Sequence, residues 1–129
     1  MATVGHRSRC TGQEITYAYV NAVLRDWARL GLMLANRGSL FGRIVVPEDW
    51  LTASTSNSVP TVFSPLERYG YHFWLSGDTK RLSLRGLRGQ FVLVDPDIKL
   101  VLVQTALDGS SSAFAELLSL WSAIRDQLR

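Results

Sequence analysis

The sequence predicts an α+β fold: an antiparallel sheet meander flanked by N-side and C-terminal amphipathic helices. Three observations predict it. One apolar stripe of helical period runs through residues 20–35, and a second runs through residues 114–128. Between them the period falls to two, in short runs separated by Gly, Pro and Asp. These runs lie too close together for parallel crossovers, which need a dozen or more residues, so each strand must turn back on its neighbour.

Residues 1–18 carry no clear period and read as a weakly patterned N-terminal segment, leaving 19–129 as the patterned part. In the first helix Val20, Val23, Leu24, Trp27, Ala28, Gly31, Leu34 and Ala35 share one face. Asn21 is its predicted N-cap, Asp26 pairs with Arg29 one turn on, and Gly38 ends it. Pro47 opens a short helix through Trp50 and Leu51, since proline at a first helical position loses nothing by lacking its amide. The Ser/Thr/Asn-rich residues 52–59 read as a surface loop.

Residues 71–75 are the first expected strand, and Gly77 and Asp78 turn the chain. Residues 81–85 alternate polar and apolar, as a half-buried strand does. Residues 90–94 and 100–104 give two more strands, joined around Asp95-Pro96-Asp97. The serines at 110–112 cap the last helix. Its stripe is Phe114, Leu117, Leu118, Trp121, Ile124 and Leu128, with Glu116, Arg125 and Asp126 outside it. Helices with apolar stripes beside an antiparallel sheet make an α+β layer.

Composition narrows the function classes. A chain of 129 residues is one domain or a piece of a larger one. At 47% apolar and 10% aromatic it is far from the composition of a disordered chain. The longest apolar runs, at 32–35 and 100–103, fall well short of the ~18 residues of a membrane span. No apolar signal region opens the chain, and the single Cys10 makes no internal disulfide. The chain therefore reads as cytoplasmic and reduced. The net charge of +3 is carried almost wholly by arginines scattered among acids, with Lys80 and Lys99 the only lysines. That is a solvated surface rather than a nucleic-acid face, which clusters base with interleaved aromatics.

Common catalytic devices are absent from the sequence. There is no Gly-x-Ser-x-Gly, no phosphate loop and no Ser-x-x-Lys: Gly77 and Pro96 stand three residues before the two lysines. His6 and Cys10 do not make a four-ligand metal site. His72 reads as a packing histidine, and Glu48 and Asp49 as first-turn acids offsetting a helix dipole. No catalytic residue, metal or cofactor is expected from this chain.

Four segments in order carry a resemblance. They are Asn21-Ala-Val-Leu-Arg-Asp-Trp-Ala-Arg-Leu-Gly31, then Gly42-Arg-Ile-Val-Val-Pro-Glu-Asp-Trp50. After these come Tyr69-Gly-Tyr-His-Phe-Trp74 and Arg85-Gly-Leu-Arg-Gly-Gln-Phe-Val-Leu-Val-Asp-Pro96. In order and spacing residues 19–129 resemble the C-terminal part of serine β-lactamase-like hydrolases. The nearest group comprises class C β-lactamases, penicillin-binding-protein-like esterases and amidases, and 6-aminohexanoate-dimer hydrolases. The resemblance implies the C-terminal part of the β-lactamase/transpeptidase-like fold, and amide or ester hydrolysis through an acyl-enzyme in a full-length form. It also implies that the Ser-x-x-Lys nucleophile lies upstream, so this chain alone is expected to be inactive. The parent enzyme is expected to be cytoplasmic or periplasmic. Tyr19-Val20-Asn21 spells the family's Tyr-x-Asn but abuts the Arg-Asp-Trp helix, so it reads as a buried tyrosine and an N-cap. The family's Lys-Thr-Gly is missing, and Arg81 or Arg85 is left to supply the cation.

Such hydrolases lay the substrate along a sheet edge, where free backbone groups bind the amide or ester and help hold the oxyanion. The segment 81–90 is expected to be that edge strand. Arg85, Gly86, Arg88 and Gly89 are its candidate substrate-binding residues. The glycines allow close backbone approach or mark a bend, and the arginines meet a carboxylate or oxyanion, with Arg85 preferred. The expected partners are a small amide or ester substrate and the missing N-terminal half, or a second copy through self-association. Nucleic acid and membrane are excluded. The alternative is a non-catalytic ligand- or partner-binding module that uses the same edge.

Overall fold

The computed structural model of the chain describes residues 5–6, 20–62, 66–77, 80–107 and 110–128. In chain order the elements are β1 (Gly5–His6), β2 (Val20–Asn21), α1 (Leu24–Ala35), β3 (Ser39–Leu40), β4 (Arg43–Ile44), α2 (Glu48–Ser56) and β5 (Val59–Pro60). They continue with β6 (Glu67–Gly70), β7 (Phe73–Ser76), β8 (Leu82–Gly86), β9 (Gln90–Asp95), β10 (Leu100–Gln104) and α3 (Ser111–Gln127). The architecture is α+β. A six-stranded antiparallel sheet has the order β10-β9-β8-β7-β6-β5, so each strand pairs with its neighbour in sequence. The pairs β1–β2 and β3–β4 form separate two-stranded ribbons.

Alternation along the strands builds two cores. Phe73, Leu75, Leu82, Val92 and Val94 face α1 and α2 and pack with Met33, Leu34, Ala35 and Leu51. Leu93 faces the other way, against Leu117 and Trp121 of α3, with Phe91, Leu100 and Leu102 beside it. Gly31 lets α1 sit directly on the sheet: a Cβ there would overlap the Val101 Cγ1 methyl of β10.

The strand expectations at 81–85, 90–94 and 100–104 match β8, β9 and β10 to within a residue. The helix ends differ. α1 starts at Leu24 after Val23, which caps with no side-chain hydrogen bond, and Asn21 lies in β2 instead. Val20, Val23 and Leu24 are consequently exposed rather than part of the buried stripe. At the far end Arg37, not Gly38, is the first left-handed residue, with φ 52°. The Gly38 amide then bonds the Met33 carbonyl at 2.9 Å and the Arg37 amide bonds that of Leu34 at 3.1 Å, a Schellman closure. Lys99 supplies the cation that α1's own last turn lacks, its Nζ donating to the Ala35 carbonyl at 2.7 Å.

Four further expectations are corrected. Residues 52–56 continue α2 rather than forming a loop, with Leu51 and Ser54 buried and Ser54 and Thr55 donating their hydroxyls back to the Leu51 carbonyl at 2.9 and 2.8 Å. Such back-bonding satisfies the polar groups that would otherwise compete with the helix. Residues 71 and 72 are a turn, not a strand: both have positive φ, and the strand begins at Phe73. His72 is exposed there rather than packed. Arg125, expected outside the α3 stripe, is 6% exposed and reaches across to Asp95. The serine cap of α3 is as expected, Ser110 accepting from the Ala113 amide at 3.3 Å. Cys10, Tyr19 and Asp78 lie outside the described residues.

Candidate functional site

The expected edge strand is an edge over half its length. β8 pairs with β9 along its whole extent, from Leu82↔Val94 to Gly86↔Gln90. On its other side the ladder to β7 holds only Leu75↔Leu82 and Trp74↔Ser83. Before Phe73 the chain arrives from β6 through the turn at Tyr71 and His72. The Ser76 amide bonds the Arg81 carbonyl at 3.1 Å, so residues 81, 83 and 85 turn their backbone groups toward β7 and Leu84 and Gly86 turn theirs toward β9. Beyond Ser83, Arg85 therefore keeps that side open among the described residues, while the first half of β8 is interior to the sheet.

Around this half-edge the side chains are fixed. Arg85 is half-buried, its Nη2 donating to Glu67 Oε1 at 2.5 Å and its Nε to Ser83 Oγ at 3.1 Å. Its guanidinium carbon lies 4.8 Å from the Trp74 ring centre and 5.3 Å from that of Phe114. An arginine held between two aromatic faces and neutralised by a carboxylate is a packed structural cation. The charge of Arg85, the preferred candidate, thus has Glu67 as its partner. The Ser83 hydroxyl is buried and engaged by Arg85.

The other three candidates belong to the open end. Gly86 is exposed at the tip of β8. Arg88 is exposed, but it sits in the turn with φ 59° rather than on the strand. Gly89 follows with φ 83° and is buried; a left-handed residue at so tight a site is suited to glycine. Two glutamines tie this turn to the end of β10 and the residues just after it. Gln104 Nε2 donates to the Gly89 carbonyl at 3.1 Å, and Gln90 Nε2 donates to the Ala106 carbonyl. The second member of the Gly-Gln pair thus holds the turn's shape, a role the sequence alone does not assign.

The structure brings Arg85, Gly86 and the turn residues Arg88 and Gly89 to one end of β8, where, among the described residues, Arg85 has no strand partner on the β7 side. The amide and carbonyl of such a residue can meet an extended segment or an acyl group.

No family model matches the chain, and no curated protein matches it.

Among the described residues no group of three or more His, Cys, Asp or Glu side chains is placed to hold a metal ion. No described helix is long and apolar enough to cross a membrane. Sequence reasoning misses Glu67, Trp74 and Phe114 as the groups that position Arg85. Trp74 carries only a strand signal in the sequence, Glu67 carries none, and Phe114 reads as part of a helix far downstream.

Proposed function

We propose that the chain is the C-terminal, substrate-aligning part of a β-lactamase-like serine hydrolase, cleaving an amide or ester through an acyl-enzyme whose nucleophile another segment supplies. The observation that carries this reading is the side of β8 left open at Arg85 among the described residues, followed by a turn that two glutamines hold in place. The order of elements supports it too: a helix on each face of an antiparallel meander, α1 before the strands and α3 after them, as the resemblance implies. In this reading the Arg85 carbonyl and amide meet the substrate's acyl part, the amide donating to the developing oxyanion. Exposed Gly86 leaves the approach unobstructed, and Arg88 stands beside it as the exposed cation.

The open outer edge of β10 favours the same conclusion. Its sequence Leu-Val-Leu-Val-Gln is apolar on both faces and pairs only with β9 among the described residues. An apolar edge of this kind suits coverage by a further strand.

The test is complementation. The chain alone should hydrolyse neither a chromogenic cephalosporin nor a p-nitrophenyl ester above background, and should do so once an upstream half bearing Ser-x-x-Lys is supplied in trans. Turnover by the chain alone, or a mass shift on one of its own serines with a fluorophosphonate, overturns the reading. Saturable ligand binding with no turnover in either case favours the non-catalytic module.

A further inference from the structure

At the opposite end of β8 lies a cavity of about 470 Å³ between α2, the α1 C-terminus and the ends of β6 and β7. Leu82 lines it and Gly86 does not. Four residues of strand, about 13 Å, separate the two ends. The cavity is thus distinct from the β8 edge, and its ligand chemistry is independent of the hydrolase reading.

Its lining has two characters. Leu51, Leu75 and Leu82, each 6–7% exposed, give the inner wall an apolar surface. Among the described residues the polar part carries three cations, Arg37, Arg68 and Lys80, one acid, Glu48, and five Ser or Thr hydroxyls. Glu48 is engaged by Arg37 at 3.0 Å. Arg68 is held in place without losing its charge: its Nε donates to Ser58 Oγ at 2.8 Å and its Nη2 to the Ser58 carbonyl at 2.5 Å, both neutral acceptors. Lys80 is exposed at the mouth. Among the described residues one acid therefore answers three cations around a pocket with a leucine inner wall, within the usual size range of small-molecule sites.

We propose that this cavity binds a small amphiphilic anion, a carboxylate on a short apolar chain. The tail lies against Leu51, Leu75 and Leu82, and the head meets Arg68 and Lys80. An uncharged amphiphile would leave the excess positive charge unanswered, and a bare anion would leave the leucine wall exposed to water. The pre-positioned Arg68 loses little conformational freedom on binding.

Equilibrium dialysis of the full chain against radiolabelled octanoate tests this, with unlabelled octanol and acetate as competitors. Saturable octanoate binding is expected, displaced by octanol and by acetate at least tenfold less well than by octanoate itself. Lys80→Glu should weaken octanoate by tenfold or more, while Arg25→Glu, an equal charge change on the exposed face of α1, should leave it within twofold. Circular dichroism confirms that both variants fold. Absence of saturable binding, competition by octanol or acetate as strong as by octanoate, or equal loss in the two variants would each overturn the assignment. Failure here leaves the complementation result untouched, since that experiment reads the other end of β8.

Discussion

Arg125 Nε donates to Asp95 Oδ2 at 2.7 Å, and the two side chains are 7% and 3% exposed. The pair joins the last turns of α3 to the end of β9 across 30 residues. Arg125 stands one helical repeat beyond Leu117 and Trp121, so the buried face of α3 ends in a charge. A buried ion pair is expensive to break one-sidedly, because the surviving charge stays buried without its partner. Asp95→Asn or Arg125→Met is therefore expected to destabilise the chain by about 3–5 kcal/mol, read by urea denaturation. The double variant Asp95→Asn/Arg125→Met should recover part of that loss. Additive losses would mean that the two residues act separately.

Gly31 carries α1 against β10. Gly31→Ala forces a methyl into the Val101 side chain and should cost about 1–3 kcal/mol, the range for overpacking a filled core. Val101→Ala in the same chain should return most of it. A neutral Gly31→Ala, which helix propensity alone would favour, would show that the helix can lift from the sheet.

Arg85 and Arg88 should separate cleanly. Arg85→Ala removes the Glu67 ion pair, the Ser83 hydrogen bond and the contacts with Trp74 and Phe114, so it is expected to lower stability by about 1–3 kcal/mol. Arg88→Ala, exposed in the turn, should stay within about 0.5 kcal/mol. In an enzyme reconstituted with its upstream half, Arg88→Ala should lower kcat/KM by tenfold or more if that cation meets the substrate. An unchanged kcat/KM there removes it from the site.

The turn between β6 and β7 places two non-glycine residues, Tyr71 and His72, at φ 50° and 67°. Hairpin turns of this kind prefer Asn-Gly. His72→Gly is expected to raise stability by about 0.5–1 kcal/mol, the relief of left-handed strain less the glycine's entropy. Thermal unfolding with the edge contact between Trp50 and Tyr71 intact would show it. A loss of stability would mean that the His72 side chain contributes contacts that outweigh the strain.

Self-association is expected of the isolated chain. The β10 edge is open among the described residues, and Leu118, Leu120 and Leu128 of the C-terminal segment are 40–57% exposed. Light scattering should show species larger than a monomer that grow with concentration. A monodisperse monomer with a cooperative thermal transition would argue for a domain sufficient in itself.

The fold is legible in the sequence wherever its signals are local. β8, β9 and β10 can be read because alternation and turn residues lie within a few positions of each other. α2 reads short because Thr52, Ser54 and Thr55 are poor helix formers by composition, and the burial of Leu51 and Ser54 that offsets this is visible only in three dimensions. β5 and β6 escape notice because Pro60 and Gly70 punctuate them as if they were loop. Charge misleads at Arg125, whose partner Asp95 is remote in the chain. At the candidate site the glycines are legible from spacing, but the fate of Arg85 is not, since Glu67 lies 18 residues upstream of it. The cavity is invisible for the same reason: Arg37, Arg68 and Lys80 share nothing in sequence.

The strict neighbour-to-neighbour order of the large sheet has a consequence for how the chain folds. Six strands that pair in sequence order can zip from one hairpin outward, with short loops to close at each step, which is the fast regime for β structure. The late events are then the two that join distant parts of the chain. One docks α1 on β10, where Gly31 meets Val101 and Lys99 reaches back 64 residues to Ala35. The other is the closing of Arg125 on Asp95. Substitutions in the β8–β9 hairpin should therefore alter the refolding rate, whereas those at Lys99 or Arg125 should act mainly on the rate of unfolding.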